Sequence, residues 1–550
     1  MKTLITTLNS KYIHTSLSLR LLYVASYKKH DVHMKEYTIK DKIEHIVEDI
    51  LSSSYDIVAF SCYIWNIEYI KEVCTLLKEK NPSIIIIFGG PEVTYDQSYF
   101  INNYDVDYVI SGEGEEVFPK LIEAIERHDD VHLTGVSYKG HISDEVASVD
   151  LKYVESLDSP YQLDFDKPHL SKRILYFESS RGCPFQCQYC LSSLEKGLRY
   201  FSEDYLLKQL DYICHSDVKT IKFLDRSFNS NVKHAIMILD YIFKNHREGQ
   251  QYQFEINADV LQQPIIDFIK DNAPKNLIRF EVGIQSTYEP TNISVKRRQN
   301  FERLSEVVYQ LMEDGKVDLH LDLIAGLPYE SYDRFKKSFD DVFAFRPKEL
   351  QLGFLKMLRG TSLRKNADEW GYTYDEASPY EMIQNDVLSQ DDVKNIHIAE
   401  DMLEKYWNSG RFNKTLNIIM NNEKSPFEFF FQLGYFYQKN NYKTIGFQLD
   451  ELFKYLDAYL VHYDNYTQLH EALIYDYLSL FKVKPKKWYE NTIEASKRKE
   501  TIRRLSETYV LDSELLFRYG VVERFSDGYL VVIYKDYKCE MTFYKGEELC

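Results

Sequence analysis

The chain of 550 residues is too long for one hydrophobic core, which predicts two to four domains. Its 44% hydrophobic and 28% charged residues are ordinary globular values and exclude wholesale disorder. A net charge of −18 excludes a broad polyphosphate-binding surface, because nonspecific nucleic-acid affinity rests on cation–phosphate pairing. The start, MKTLITTLNSKYIHT, has no long apolar core and no small-residue cleavage site, so it is not read as a signal peptide. The longest aliphatic run, around Ile84–Ile87, is too short to cross a bilayer. A cytoplasmic protein without membrane or nucleic-acid partners is expected.

In chain order, TLITTLN (3–9), VHMKEYTI (32–39), DIVAFSCYIW (56–65), SIIIIFGG (83–90) and DYVISGEGE (107–115) read as strands separated by amphipathic helical stretches. Strands with helical crossovers predict a doubly wound, flavodoxin-like parallel sheet over residues 1–140, with ligands beyond the carboxyl ends of its strands. Small residues at those ends, among them Ser61, Gly89, Gly90, Gly112 and Gly114, would let a bulky ligand approach the backbone. Residues 141–172, with Pro160 and Pro168, are expected to be a linker. From 173 to 366 six further strand–helix units, from RILYFESS to ELQLGFLKML, predict a partial (β/α)6 barrel with its chemistry at the strand ends. Residues 367–550 read as a mainly helical domain whose Phe and Tyr stripes are packing, closed by a β-hairpin in the last 25 residues. The basic stretch from Lys482 to Arg504, with Lys486, Lys487 and Trp488, reads as a solvated face, with an RNA or acidic-partner contact as the lesser alternative.

Three of the eight cysteines, Cys183, Cys187 and Cys190, lie in SRGCPFQCQYC just behind the first barrel strand. In a reducing compartment such a cluster binds metal or carries redox chemistry. Four readings compete. A zinc site needs four ligands, and Cys214 or His215 would have to complete it. A redox pair of Cys187 and Cys190 leaves Cys183 without a purpose. Unbridged core thiols conflict with the loop character of Gln186, Gln188 and the Gly-Cys-Pro turn. An iron–sulfur cube held at three corners leaves one iron with an open position.

RGCPFQCQYC at the end of a partial-barrel strand resembles the radical S-adenosylmethionine (SAM) enzymes, over roughly residues 170–365. The resemblance implies a [4Fe-4S] cluster on Cys183, Cys187 and Cys190 and SAM chelated on the open iron. It also implies a low-potential flavodoxin- or ferredoxin-like electron donor and cleavage of SAM to a 5′-deoxyadenosyl radical. It places Tyr189 near the adenine, Asp225 at the SAM amino group in the absence of the usual Gly-Gly-Glu, and Arg297 on the SAM carboxylate. Glu255, Gln285 and Ser286 stand at strand ends suited to ribose or substrate. FGGPEVTYD and ISGEGEEVF resemble the cobalamin-binding domain that precedes many of these barrels, and NSKYIHTSLSLR resembles the signature of a subfamily with a C-terminal domain of unassigned function. That implies a corrinoid over the strand ends, its nucleotide tail among Gly89, Gly90, Gly112 and Gly114, and Trp65, Tyr63 or Asn66 facing its lower side. The D-x-H-x-x-G cobalt-ligating motif is absent; Asp31 and His33 lie at the start of the second strand, so no ligating histidine is assigned. The function so implied is methyl transfer from methylcobalamin to an unactivated carbon or phosphorus of an unknown small-molecule or carrier-bound substrate. The alternatives are a radical SAM oxidoreductase or cyclase, and a non-catalytic metal-binding regulator using His215.

Overall fold

A computed structural model of the chain describes residues 1–195 and 197–546. The first part alternates β1 (Lys2–Asn9), α1 (Leu17–Ser26), β2 (Asp31–Thr38), α2 (Ile43–Ser52), β3 (Ile57–Ser61), α3 (Ile67–Lys80), β4 (Ile85–Gly89), α4 (Gln97–Asn103), β5 (Tyr108–Ile110) and α5 (Val117–Arg127). With β6 (Val136–Tyr138) these strands make one sheet in the order β2-β1-β3-β4-β5-β6. The first five are mutually parallel, whereas β6 runs antiparallel to β5 and is too short to show in the sequence. Helices cover both faces because the strand residues alternate between two cores. Leu4, Leu8, Val58 and Phe60 pack on one side. Ile5, Ile57 and Ala59 pack against Phe118 and Leu121 on the other. The stretch expected to be a linker carries α6 (Leu151–Ser156), and its Ala147 pairs with Gly112.

The second sheet begins with β7 (Ile174–Phe177), beside a ribbon of β8 (Ser180–Arg181) and β9 (Arg199–Tyr200). It continues through α7 (Glu203–His215), β10 (Thr220–Phe223), α8 (Val232–Asn245), β11 (Gln251–Ile256), α9 (Gln263–Asn272), β12 (Ile278–Gln285), α10 (Glu289–Ser294), α11 (Phe301–Met312), β13 (Val317–Ala325), α12 (Tyr332–Phe343) and β14 (Glu349–Phe354). The order β14-β13-β12-β11-β10-β7 follows the chain and does not close, as an open partial barrel requires. On β12, Ile278, Phe280, Val282 and Ile284 are fully buried, while Arg279, Glu281, Gly283 and Gln285 lie half-buried on the opposite face.

The free edge of β7 is covered by the loop after β1. His14 bridges Ile174 in parallel, the Ile174 N–H donates to the Ile13 carbonyl at 2.7 Å, and Thr15 Oγ1 donates to the Ile174 carbonyl at 2.8 Å. Just behind, Arg20 donates to Asp166 at 2.6 and 2.7 Å and to Glu36 at 3.2 Å, and Arg173 reaches Glu36 at 2.9 Å. Much of NSKYIHTSLSLR is therefore a clasp between the front sheet and the barrel. After β14 come α13 (Ser362–Lys365) and a small hairpin of β15 (Thr373–Tyr374) and β16 (Met382–Gln384).

The chain divides into two compact units, residues 1–334 with 351–390, and residues 335–350 with 391 onward. The second unit contains α14 (Gln390–Met402), α15 (Asn413–Met420), α16 (Pro426–Lys439), α17 (Leu449–Leu460), α18 (Tyr466–Ser479), α19 (Arg498–Tyr509) and α20 (Ser513–Tyr519). Its aromatic stripes pack inward, as in the Phe339–Phe430 and Phe343–Trp407 contacts. The chain end is a three-stranded antiparallel sheet, β17 (Gly520–Phe525), β18 (Gly528–Lys535) and β19 (Lys538–Lys545), one strand more than the expected hairpin. Lys487 pairs with the fully buried Glu523, and Trp488 packs among Phe453, Tyr477 and Tyr489, so this part of the basic stretch is structural. Among the described residues no helix is long and apolar enough to cross a membrane.

Replacing Arg20 by Met leaves the Glu36 and Asp166 carboxylates buried without their shared cation, and urea unfolding should show a loss of about 3–5 kcal/mol. In the second unit, burial and the neighbouring carboxylates of Glu404 and Asp401 push Glu400 up to about 7. A raised carboxyl is a liability wherever it is ionised in the folded state. Glu400→Gln should therefore stabilise by about 1–3 kcal/mol at pH 8, and the gain should fade as pH drops toward the ordinary glutamate value. Urea midpoints at both pH values check this.

Candidate active site

Cys183, Cys187 and Cys190 follow β8, which extends the path of β7. The loop is pinned from outside: the Gln188 N–H donates to the Val295 carbonyl at 2.9 Å, and its carbonyl accepts from Leu363 at 3.1 Å. Cys187 is buried and the other two thiols are half-buried, all of them free. Burial pushes the Cys183 thiol up, and the neighbouring Cys190 and Cys187 add to it. Among the described residues no three His, Cys, Asp or Glu side chains close around a point that would hold a single metal ion. Three thiols on one loop match the number of corners at which an iron–sulfur cube with one open iron is held.

Cations flank them. Arg297 Nη1 lies 3.9 Å from Cys187 Sγ and 3.3 Å from Tyr189 Oη, and its Nη2 donates to the Gly283 carbonyl. Burial opposes the charge of Arg226, but Glu255, at 3.9 Å, and the thiols Cys190 and Cys183 more than compensate and raise its pKa. The Arg297 guanidinium beside Cys187 suits an anionic group held by these cysteines. Arg226 was missed in the sequence; the signal was its place directly after Asp225 at a strand end.

The alternative fourth ligands point elsewhere. Cys214 is fully buried with Sγ 3.2 Å from Tyr252 Oη, and the exposed His215 bonds back to the Asp211 carbonyl.

Of the other expected residues, Tyr189, Gln285 and Arg297 come together. Gln285 has φ +68° at a bulge between β12 and β13, a left-handed conformation that costs about 1–2 kcal/mol for a residue with a Cβ. Its side chain lies over Gly283, where a Cβ would stand 2.4 Å from Gln285 Nε2. Glu255 joins Arg226. Asp225 and Ser286 are committed to the protein itself. Asp225 accepts from the Ser179 N–H at 2.9 Å and from the Ser179 and Ser180 hydroxyls at 2.6 and 2.5 Å, so it braces the strand leading into the cysteines. Its pKa is raised by burial. Ser286, fully buried, donates to Glu330 at 2.6 Å.

On the front sheet, Tyr63 and Trp65 stack at 4.4 Å with an interplanar angle of 8°, and Trp65 stays 43% exposed. A stacked aromatic pair at the strand ends, with the indole partly open to solvent, suits contact with one face of a macrocycle. Ser61 is buried beneath it, its hydroxyl 3.2 Å from that of Ser18. Asn66 is fully buried, its amide bonded to Thr7, Leu8 and Ser61, so it cannot face a corrin. Gly90 and Gly112 have φ +104° and +90°, and a Cβ there would meet the Cys62 carbonyl at 2.6 Å and the Ala147 carbonyl at 2.2 Å. The close approach of the protein's own backbone is by itself enough to require glycine at these two positions. Gly89 has ordinary contacts and Gly114 approaches Leu22 at 3.0 Å. His33 sits 3.0 Å from Asp31 on the first strand's neighbour, away from the strand ends.

The two halves are joined at the cysteine strand. Arg181, two residues before Cys183, reaches Glu115 at 2.6 Å, Glu178 at 2.7 Å and Glu113 at 3.3 Å, while Arg199 reaches Glu113 at 2.5 Å. Sequence reading named Glu113 and Glu115 only as parts of a strand end and overlooked Arg181, because these two partners lie more than 60 residues from it.

Comparison with known proteins agrees with this layout. Residues 3–122 match the B12 binding domain, 177–342 the Radical SAM superfamily, and 368–525 a protein of unknown function model, DUF4080. The cobalamin-dependent radical SAM methyltransferase TokK of Streptomyces tokunonensis is 23% identical over 404 residues, covering 67% of this chain and 59% of that protein. The chain thus spans less than two thirds of that relative's length. The cobalamin-dependent SAM radical enzyme OxsB with aqua-cobalamin superposes with a TM-score of 0.58 at 16% identity, over 88% of this chain and 77% of that one. The radical SAM methyltransferase TsrM from Kitasatospora setae, with cobalamin and a [4Fe-4S] cluster, gives 0.57 at 14% identity over 69% and 78%. Fold, cysteine loop and matched models converge: residues 177–342 match the Radical SAM superfamily and 3–122, ahead of the barrel, match the B12 binding domain.

Proposed function

We propose that this chain is a cobalamin-dependent radical SAM methyltransferase acting on an unactivated carbon or phosphorus centre. The observation that carries the reading is the ion cluster of Arg181 with Glu113, Glu115 and Glu178, which fixes a B12-domain loop to the strand that presents the cysteines. Methyl transfer to a substrate radical needs the methyl donor and the radical source held at a set separation, and a shared buried ion cluster supplies that constraint.

In this reading Cys183, Cys187 and Cys190 hold the cluster as thiolates. When bound, the cluster would supply the electron that cleaves SAM to a hydrogen-abstracting radical, and the corrinoid would supply the methyl group. Arg297, steadied by Gly283 and Gln299, offers its guanidinium to the SAM carboxylate. Asp225 acts one step back, through Ser179 and Ser180, by holding the cysteine strand. The stacked pair of Tyr63 and Trp65 would be the apolar platform for a corrin ring. A flavodoxin- or ferredoxin-like protein of the cytoplasm is the electron donor. Residues 1–140 house the corrinoid and 173–366 the cluster and SAM.

Anaerobically reconstituted protein should hold about four irons and four sulfides per chain, lost in the Cys183/Cys187/Cys190→Ala variant and retained in Cys214→Ala. With cobalamin, a low-potential reductant, methyl-labelled SAM and a cell extract, it should form deoxyadenosine, S-adenosylhomocysteine and a labelled product together. Deoxyadenosine without S-adenosylhomocysteine or label would instead select oxidoreductase or cyclase chemistry.

A further inference from the structure

The barrel-sheet face turned away from the helices is charged where such barrels are usually packed with aliphatic side chains. Tyr176, Lys222 and Arg279 stand at one level across β7, β10 and β12, with Gln253 of β11 between the last two. Glu255, Glu281 and His320 form the next level on β11, β12 and β13. Lys222 Nζ lies 2.8 and 3.0 Å from the two Glu281 oxygens, and Arg279 meets His320. Tyr176 Oη lies 2.7 Å from Nδ1 of His14, which reaches in from the front sheet. Burial, with the charges of Glu281 and Tyr63 adding, pushes Tyr176 up to about 12.

Three physical consequences follow. An apolar ligand laid on this face would take water from several ion pairs and return no hydrogen bond, which disfavours a lipid. Cations and carboxylates alternate here, so a polyanion meets as much repulsion as attraction. The edge of β7 is closed by residues 13–15, which limits entry of a polymer.

We infer that the substrate is a small polar molecule without large net charge, rich in hydrogen-bonding groups, seated on this face against the Lys222–Glu281 pair. The inference rests on the methyl-transfer reading and adds the substrate class to it. A lipid, a macromolecule or a carrier-bound chain would be recognised by different chemistry.

The test uses reconstituted holoenzyme, methyl-labelled SAM and a cell extract separated into aqueous small-molecule, solvent-extractable and macromolecular fractions. Label should enter the aqueous small-molecule fraction. Label confined to either other fraction overturns the inference while methyl transfer stands. Deoxyadenosine formation with no label in any fraction overturns the methyl-transfer reading itself. In Lys222→Met/Glu281→Met, labelling of the aqueous product should fall roughly tenfold or more with iron and sulfide content retained. The isosteric Glu281→Gln, which removes only the charge, should lose several-fold, and wild-type labelling in that variant would overturn the assigned seat.

Discussion

The guanidinium of Arg181 is the point on which the first unit's geometry depends. Its side chain is 10% exposed and meets three carboxylates, Glu113 and Glu115 from the loop after β5 and Glu178 from the end of β7. Burying so many charges is unfavourable unless each is closely paired, and here Arg199 takes up Glu113 while donating to the Val149 carbonyl at 2.8 Å. A network of that kind tolerates little displacement of either half. A second tie has the same character. Arg359, beyond β14, pairs with Asp96 at 2.5 Å, donates to Tyr380 at 3.0 Å, and Tyr380 in turn donates to the buried Glu92. With the clasp of residues 13–15 on β7, three of the front sheet's carboxyl-end loops are fixed to the barrel. The places where a corrinoid and a cluster would lie are thus parts of one frame.

The chemistry nearest to the sequence was legible because it is local. Three cysteines within eight residues need no knowledge of distant contacts, and the runs of Ile, Val and Phe in β3 and β4 announce buried parallel strands. Long-range pairing was not legible. His14 and Ile174 are 160 positions apart, and nothing in NSKYIHT says which edge it will cover. Gly90 and Gly112 show the same limit in another form. A glycine in a strand-end loop signals that something comes close to the backbone, but the pattern cannot tell a ligand from Cys62 or Ala147. Asp225 and Ser286 were placed correctly at strand ends. Their hydrogen-bonding capacity is used by Ser179, Ser180 and Glu330, which only folding brings near.

LIRFEVGIQ alternates apolar and polar residues strictly, and the fold gives the two sets separate duties. Phe280 meets Phe254 edge-to-face, and Phe254 contacts Phe223 and Phe228, so an aromatic layer runs along the helix-facing side of the sheet. Apolar area buried on that side is the stabilising term, at about 25 cal/mol per Å². The inner face contributes little of it, since Lys222, Glu281 and Arg279 spend their interactions on one another. This division matters for how such a barrel can change its chemistry. A substitution on the inner face alters which ligand is recognised without opening a cavity in the aromatic layer. A substitution in Phe254 or Phe280 does the reverse. The cysteine loop hangs from the braced end of β7, so its position is set by Asp225 and Arg181 rather than by whatever occupies the inner face. Under the proposed function, radical generation and substrate selection are therefore mechanically separable, and a single scaffold can keep the first constant while the second diverges.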